Sequence, residues 1–368
     1  MRADNVPFQA EASGMPAAAF TRRVFMVGVS LAAAMPVHAS ILTGKPVDAI
    51  VEKKGAAGSF TSVAAALAAA PDNDQPWHIR IGEGLWDEKL HIRRAHVWLS
   101  GAGAGRTILT HGDASGAPKP GGGTWGTYGS SSVLVEAPDF RASGISFRNH
   151  FDYIANQRQP LVNGAQAVAL ALGRGADRSW LRNVEVMGHQ DSLYLQSGRV
   201  LIEDSLIAGS VDFIFGGAAA LIRRCEIRSR WRAEEGIQGF VAAPSTHQDQ
   251  KLGFVFRDCR LTREAGVPDH STYLGRPWRA GGNMQLLGAA AFLDCWMDGH
   301  IHPDGWTSMG YTNPEGVRTY LTPQEARFFE HGTRGPGKGP AADTRRILAD
   351  ADLSIFTEKA VRGDWEPA

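Results

Sequence analysis

One stretch in the first half of the chain has helical periodicity, residues 59–70, with Ser59 or Thr61 as candidate N-cap and Pro71 as a stop. Beyond it the pattern changes to short runs in which an Asn, Asp, Cys or Ser is followed by alternating apolar and polar positions, the period of strands. The runs at 143–147, 182–186, 204–207, 224–227, 258–261 and 294–297 read as one unit repeating. Taking Asn183, Ser205, Cys225, Cys259 and Cys295 as equivalent, the spacings are 22, 20, 34 and 36 residues. A repeat near 20 cannot hold a strand plus a crossover helix, which disfavours a doubly wound α/β fold. It fits a solenoid in which each coil of short strands pairs with the next, a parallel β-helix. The longer intervals place insertions at 228–252 and 262–290, predicted as loops projecting from one side. Asn183 and Ser205 then share an interior polar ladder, and the three cysteines stack as small buried side chains on one wall.

Charge removes whole classes of function. The 368 residues carry 38 Lys and Arg against 38 Asp and Glu, and no block of like charge, so the chain does not read as a nucleic-acid binder. Hydrophobic residues at 43% and charged residues at 21% suit a chain that buries a sizeable core. Three cysteines make no disulfide framework, and no Cys/His spacing points to zinc. The amino-terminal segment stands apart: Thr21-Arg22-Arg23-Val24-Phe25-Met26 leads into the apolar run 27–34, and Val37-His38-Ala39 supplies the small residues of a cleavage site. This predicts a twin-arginine-like signal peptide over 1–39, too short to stay as a membrane anchor. The mature domain, 40–368, is then exported, secreted or periplasmic, without membrane attachment. Met15, just before the arginines, is a second candidate start.

The repeat also brings chemistry together. Asp191 lies 8 residues after Asn183 and Asp212 lies 7 after Ser205, so two aspartates 21 apart fall at nearly the same place on successive coils. Neighbouring strands are about 4.8 Å apart, which sets the carboxylates face to face. Like charges that close do not both ionise cheaply; one pKa rises while the other stays low, giving an acid beside a nucleophile or base. Gln190 adjoins the first aspartate and Gln166 lies about one coil earlier, and neutral amide donors there suit a developing oxyanion. Aromatic residues flank both aspartates, a setting for a sugar ring. On the residues alone, an aspartate ladder satisfied by backbone amides fits equally well.

Four segments carry a closer likeness: Gln166-Ala167-Val168-Ala169-Leu170, Gly188-His189-Gln190-Asp191-Ser192-Leu193-Tyr194, Val211-Asp212-Phe213-Ile214-Phe215-Gly216 and Leu274-Gly275-Arg276-Pro277-Trp278. In order and spacing they resemble the pectin methylesterase (pectinesterase) family, and the likeness, closer to its secreted bacterial members, covers most of the mature chain. The resemblance implies an all-β fold, a right-handed single-stranded parallel β-helix with a short N-terminal helix and projecting loops. It implies a carboxylic ester hydrolase acting on methyl-esterified pectin (homogalacturonan), with no cofactor and no metal. Carried onto this sequence, it makes Asp212 the nucleophile toward a galacturonate methyl ester and Asp191 the general acid, then base. Gln190 and Gln166 hold the oxyanion and Arg276 pairs with Asp212. Trp278 stacks on a sugar, and Thr127, Tyr194, Phe215, Trp306 and Met309 are further candidates for lining the groove. Two positions depart from the family pattern. Ser192 stands where Thr is usual, and His189, where Tyr or Asn is common, reads either as a satisfied polar residue or as a group that tunes the pH profile.

Other signals point elsewhere or nowhere. A glycoside hydrolase also uses two carboxylates about 5 Å apart, and would make new reducing ends. A non-catalytic polysaccharide-binding protein fits the fold as well. The glycines at 101–105 and 121–123 match no phosphate loop, and no G-x-S-x-G elbow is present. His300, His302 and Asp304 form a possible metal trio without further ligand spacing. No feature argues for a subunit interface, so a monomer is expected.

Overall fold

The structure, a computed structural model describing Leu42 and residues 44–367, is a parallel β-helix. The signal-peptide reading over 1–39 lies outside the described residues. Among those described, sheets of ten, seven and eight strands run along the molecule, and successive strands in each come from successive coils. In the ten-stranded sheet Arg141–Ser143, Ser179–Arg182, Arg199–Glu203, Ala219–Arg223, Phe254–Arg257 and Ala289–Leu293 lie side by side, every pairing parallel. No helix among the described residues is long and apolar enough to cross a membrane.

The repeated runs are corners between two sheets rather than single strands. Each contains one residue at positive φ, namely Gly144, Asn183, Asp204, Arg224, Asp258 and Asp294, with φ from 50° to 69°. Glycine enters that left-handed region freely and Asn and Asp tolerate it, which explains why the position is polar or Gly in every coil. The residue after it turns inward, and Ile145, Val184, Ser205, Cys225, Cys259 and Cys295 form one buried ladder. The expected equivalence of Asn183 with Ser205 is therefore wrong by one residue. Arg182 pairs with Glu203, so Asn183 lies beside Asp204 and that coil is 21 residues long. Within the ladder the Ser205 hydroxyl donates to the Glu203 carbonyl at 2.6 Å. The cysteine thiols donate to carbonyls one coil back: Cys225 to Ile202 at 3.7 Å, Cys259 to Ile222 at 3.3 Å and Cys295 to Phe256 at 3.6 Å.

Both expected insertions hide a strand. Gly239–Pro244 and Thr272–Gly275 extend the seven-stranded sheet, and only the flanking segments project. Gly and Pro at their ends read as breakers in one dimension, but these strands close the coil. The N-terminal helix is Val63–Ala68, shorter than its pattern, with Ser62 rather than Ser59 or Thr61 as the cap. Ser62 Oγ accepts from the Ala65 N–H at 3.1 Å, and the Glu88 carboxylate accepts from Val63 and Ala64, both at 2.9 Å. These acceptors satisfy the orphan N–H groups of the first turn while Val63 and Ala66 enter the core. At the other end, Phe356, Val361 and Trp365 fold back over the outer face of the ten-stranded sheet, against Leu201, Leu221, Val255 and Leu293.

Candidate active site

The site lies on the outer face of the seven-stranded sheet. Leu134, Ala171, Tyr194, Phe215 and Ala243 occupy one register row across five adjacent strands. Leu193 pairs with Ile214 and Tyr194 with Phe215, so two residues earlier Asp191 stands opposite Asp212. Both aspartates have left-handed backbone, φ 65° and 49°. The Asp191 N–H donates to the Val211 carbonyl at 3.0 Å, fixing one coil against the next just where the carboxylates meet. Past the second aspartate the pairing slips: Val211 opposes Phe240 but Ile214 opposes Ala242, so Asp212 and Phe213 share one partner position. Such a bulge re-aims a side chain. Phe213 is fully buried in the core, and Asp212 lies at the pocket.

Arg276 holds Asp212 with both arms of its fork, Nε to Oδ1 at 2.9 Å and Nη2 to Oδ2 at 2.7 Å. A planar guanidinium matches a carboxylate in this way and a lysine cannot. The chain reaches that position through a close approach at Gly275, where a Cβ would sit 2.3 Å from the Ala242 carbonyl oxygen. Asp191 has a different environment. It is buried, and desolvation first, then the neighbouring Asp212, push its carboxyl well above the ordinary value of 3.8, with Arg276 acting the other way. One carboxylate carries a cation and its neighbour is pushed toward its protonated form, the division that acid catalysis beside a nucleophile requires.

A pocket of about 210 Å³ opens over the pair, lined by Gln166, Gln190, Phe215, Arg276, Trp278 and Met309 together with the aspartates, Thr127 and Ala243. The two glutamines come from adjacent coils, and the Ala167 N–H donates to the Gln190 carbonyl at 3.1 Å. Gln166, Gln190, Asp191, Asp212, Arg276, Trp278, Thr127, Phe215 and Met309, all named from sequence, are thus brought together. Two others are not. Tyr194 stacks on Phe215 at 4.3 Å and supports that ring without lining the pocket. Trp306 is 1% exposed and stacks on Phe328 at 4.2 Å inside the core, so it is not a groove residue. It is bridged to Gly275, one coil back, with its side chain on the inner face. Ala243, one register place beyond Phe215, escaped sequence reasoning because a methyl group carries no chemical signal; only the register finds it.

His189 stacks on Tyr153 at 4.9 Å, and burial, with Arg230 and Arg232 nearby, lowers its pKa to about 3. Burial therefore favours the neutral ring, and its Nδ1 is buried without a hydrogen-bond partner among the described residues. The Ser192 hydroxyl donates to the His189 carbonyl at 3.2 Å, closing the turn that carries Gln190 and Asp191. The suspected metal trio separates: His300 is buried with Nε2 3.0 Å from Ser229 Oγ, while His302 stacks on Tyr273 at 4.2 Å. Among the described residues no group of three His, Cys, Asp or Glu side chains is placed to hold a metal ion.

Residues 48–343 match the profile of the Pectinesterase family. Pectinesterase A of Dickeya chrysanthemi is 35% identical over 338 residues, covering 87% of this chain and 92% of that protein. A pectin methylesterase from Erwinia chrysanthemi superposes with a TM-score of 0.84 at 36% identity, covering 88% of this chain and 99% of that one. A pectin methylesterase in complex with a hexasaccharide gives the same TM-score, identity and coverage.

Proposed function

The chain belongs to the pectinesterase family, and from that premise we propose how its site performs ester hydrolysis and on what. It is a carboxylic ester hydrolase, a pectin methylesterase that releases methanol from methyl-esterified polygalacturonate and leaves pectate. In the proposed mechanism an Asp212 oxygen attacks the ester carbonyl carbon, and the electron pair moves onto the carbonyl oxygen, where the amides of Gln190 and Gln166 donate to it. As the intermediate collapses, the bond to the methoxy oxygen breaks and Asp191 gives that oxygen its proton, so methanol departs and an acyl anhydride to Asp212 remains. Asp191, now a carboxylate, takes a proton from water as the water oxygen attacks the anhydride. Collapse returns Asp212 as a carboxylate and Asp191 as the acid. Arg276 orients the nucleophile throughout, and Trp278, Phe215 and Met309 offer apolar faces to the sugars on either side.

The observation that carries this reading is the division of labour in the pair: Asp212 held by the Arg276 fork, Asp191 desolvated and driven toward its protonated form. Methanol release from highly methylated pectin tests it, with Asp212→Asn alongside and reducing ends counted. Expected are methanol from the wild type, a loss of at least about a thousandfold in the variant, and no new reducing ends. Methanol at an undiminished rate from Asp212→Asn would sink the assignment of the nucleophile. Export through the 1–39 segment and a monomeric state belong to the same proposal. The mass of the mature protein and its sedimentation test them.

A further inference from the structure

Arg276 has its edge on Asp212 and its face on a ring. The guanidinium carbon lies 3.9 Å from the centre of the Phe240 ring. We propose that Phe240 is a positioning residue for the esterase reaction, holding Arg276 flat so that its Nε–Nη2 edge stays on Asp212. Phe240 is absent from the pocket lining, and its link to the reacting pair runs through Arg276. The proposal rests on the methylesterase reading of the site and extends it to a residue behind it.

Three features make the ring a fixed support. Phe240 pairs with Val211, the residue just before the nucleophile, at the point where the bulge begins. One strand position therefore sets both the aim of Asp212 and the seat of its partner. Phe240 also pairs on its other side with Tyr273, whose ring stacks parallel to it at 5.8 Å and 10°. Tyr273 in turn stacks on His302 at 4.2 Å, with its hydroxyl 3.4 Å from Nε2. The column His302, Tyr273, Phe240, Arg276 runs across adjacent coils and ends on the carboxylate. A long arginine side chain emerging just past a strand end has several rotamers. The ring removes those that lift the fork away from Asp212, at an energy typical of a cation over an aromatic face.

The charged groups around Asp212 are Arg276 and, from the neighbouring coil, Asp191, whose own surroundings include the phenols of Tyr153 and Tyr194. His302 is separated from Arg276 by two rings, and its nearest carboxylate is Asp304, 3.7 Å from Nδ1. A change at Phe240 thus reaches the reacting pair through Arg276.

The test compares Phe240→Leu and Phe240→Tyr with the wild type in steady-state methanol release from methylated pectin, across pH, beside thermal melts. For Phe240→Leu the expected result is a kcat lower by about tenfold, the upper part of the range for a lost cation–π contact, with KM changed by less than about twofold. Phe240→Tyr restores kcat. If Phe240→Leu does not fold, Phe240→Met, close in volume and without a ring, is read in its place. A Leu or Met variant with wild-type kcat overturns the proposal, as does a loss confined to KM or one that Tyr fails to restore. A wild type that releases no methanol overturns the functional reading itself, and the proposal with it.

Discussion

Asp191 and Asp212 differ in nothing as residues; their surroundings set them apart. The raised carboxyl of Asp191 has a consequence for stability. Between the ordinary value of 3.8 and the raised value in the folded protein, the native state keeps a proton that the unfolded chain has lost. Stability contributed by this group therefore falls as pH rises across that window, and each tenfold change in acid constant costs about 1.4 kcal/mol. Asp191→Asn should abolish turnover yet raise the midpoint of chemical unfolding at pH 7. The gain should vanish as the pH is lowered below that of an ordinary carboxyl. A variant less stable than wild type at pH 7 would contradict the desolvation argument. The pair, its glutamines and Arg276 were legible because type and spacing both pointed to them. Trp306 misled because a tryptophan looks the same in a groove or a core, and only its side of the strand separates the two.

At the scale of the element, the strand end at Gly275 and the bulge at Asp212 place two side chains 64 residues apart in contact. Gly275→Ala puts a methyl group against the Ala242 carbonyl and near the buried Trp306 ring, which leaves little room to give. Its expected effect is a fall in kcat of more than about a hundredfold, the cost of misplacing a catalytic group by roughly 1 Å, while the circular dichroism of the β-helix is retained. Equal activity in that variant would mean the approach is not needed to seat Arg276. The repeat itself could be read from sequence, with Ser205 and the three cysteines at equivalent places, but Asn183 was misjudged by one residue. The polar position that recurs is the one needing positive φ, not the inward one. A shift of one reverses inside and outside along a strand, so the error bears directly on which side chains form a ladder.

On the scale of the whole molecule, a solenoid must close its ends. Near the last coils Arg345 and Glu330 form a fully buried pair, Nε to Oε1 and Nη2 to Oε2 both at 2.8 Å, and Arg345 also donates to the carbonyls of Pro303 and Gly337, each at 3.1 Å. Removing one partner strands a charge in the interior. Arg345→Met should cost about 3–5 kcal/mol in denaturant unfolding, and Arg345→Met with Glu330→Leu should recover much of it. A single variant as stable as wild type would show that the pair does not hold that end. What the sequence by itself determined is the coil: a repeat near 20 residues and strand-length apolar runs, each opening on a polar or small residue, leave the chain little alternative to stacking. Those are local requirements of backbone and burial, written into neighbouring residues. Only the tertiary structure decided which outward residues of different coils share a face, that Gly239–Pro244 and Thr272–Gly275 are strands and that Trp306 points inward. Register between coils is set by packing over long sequence separations, and no local pattern encodes it.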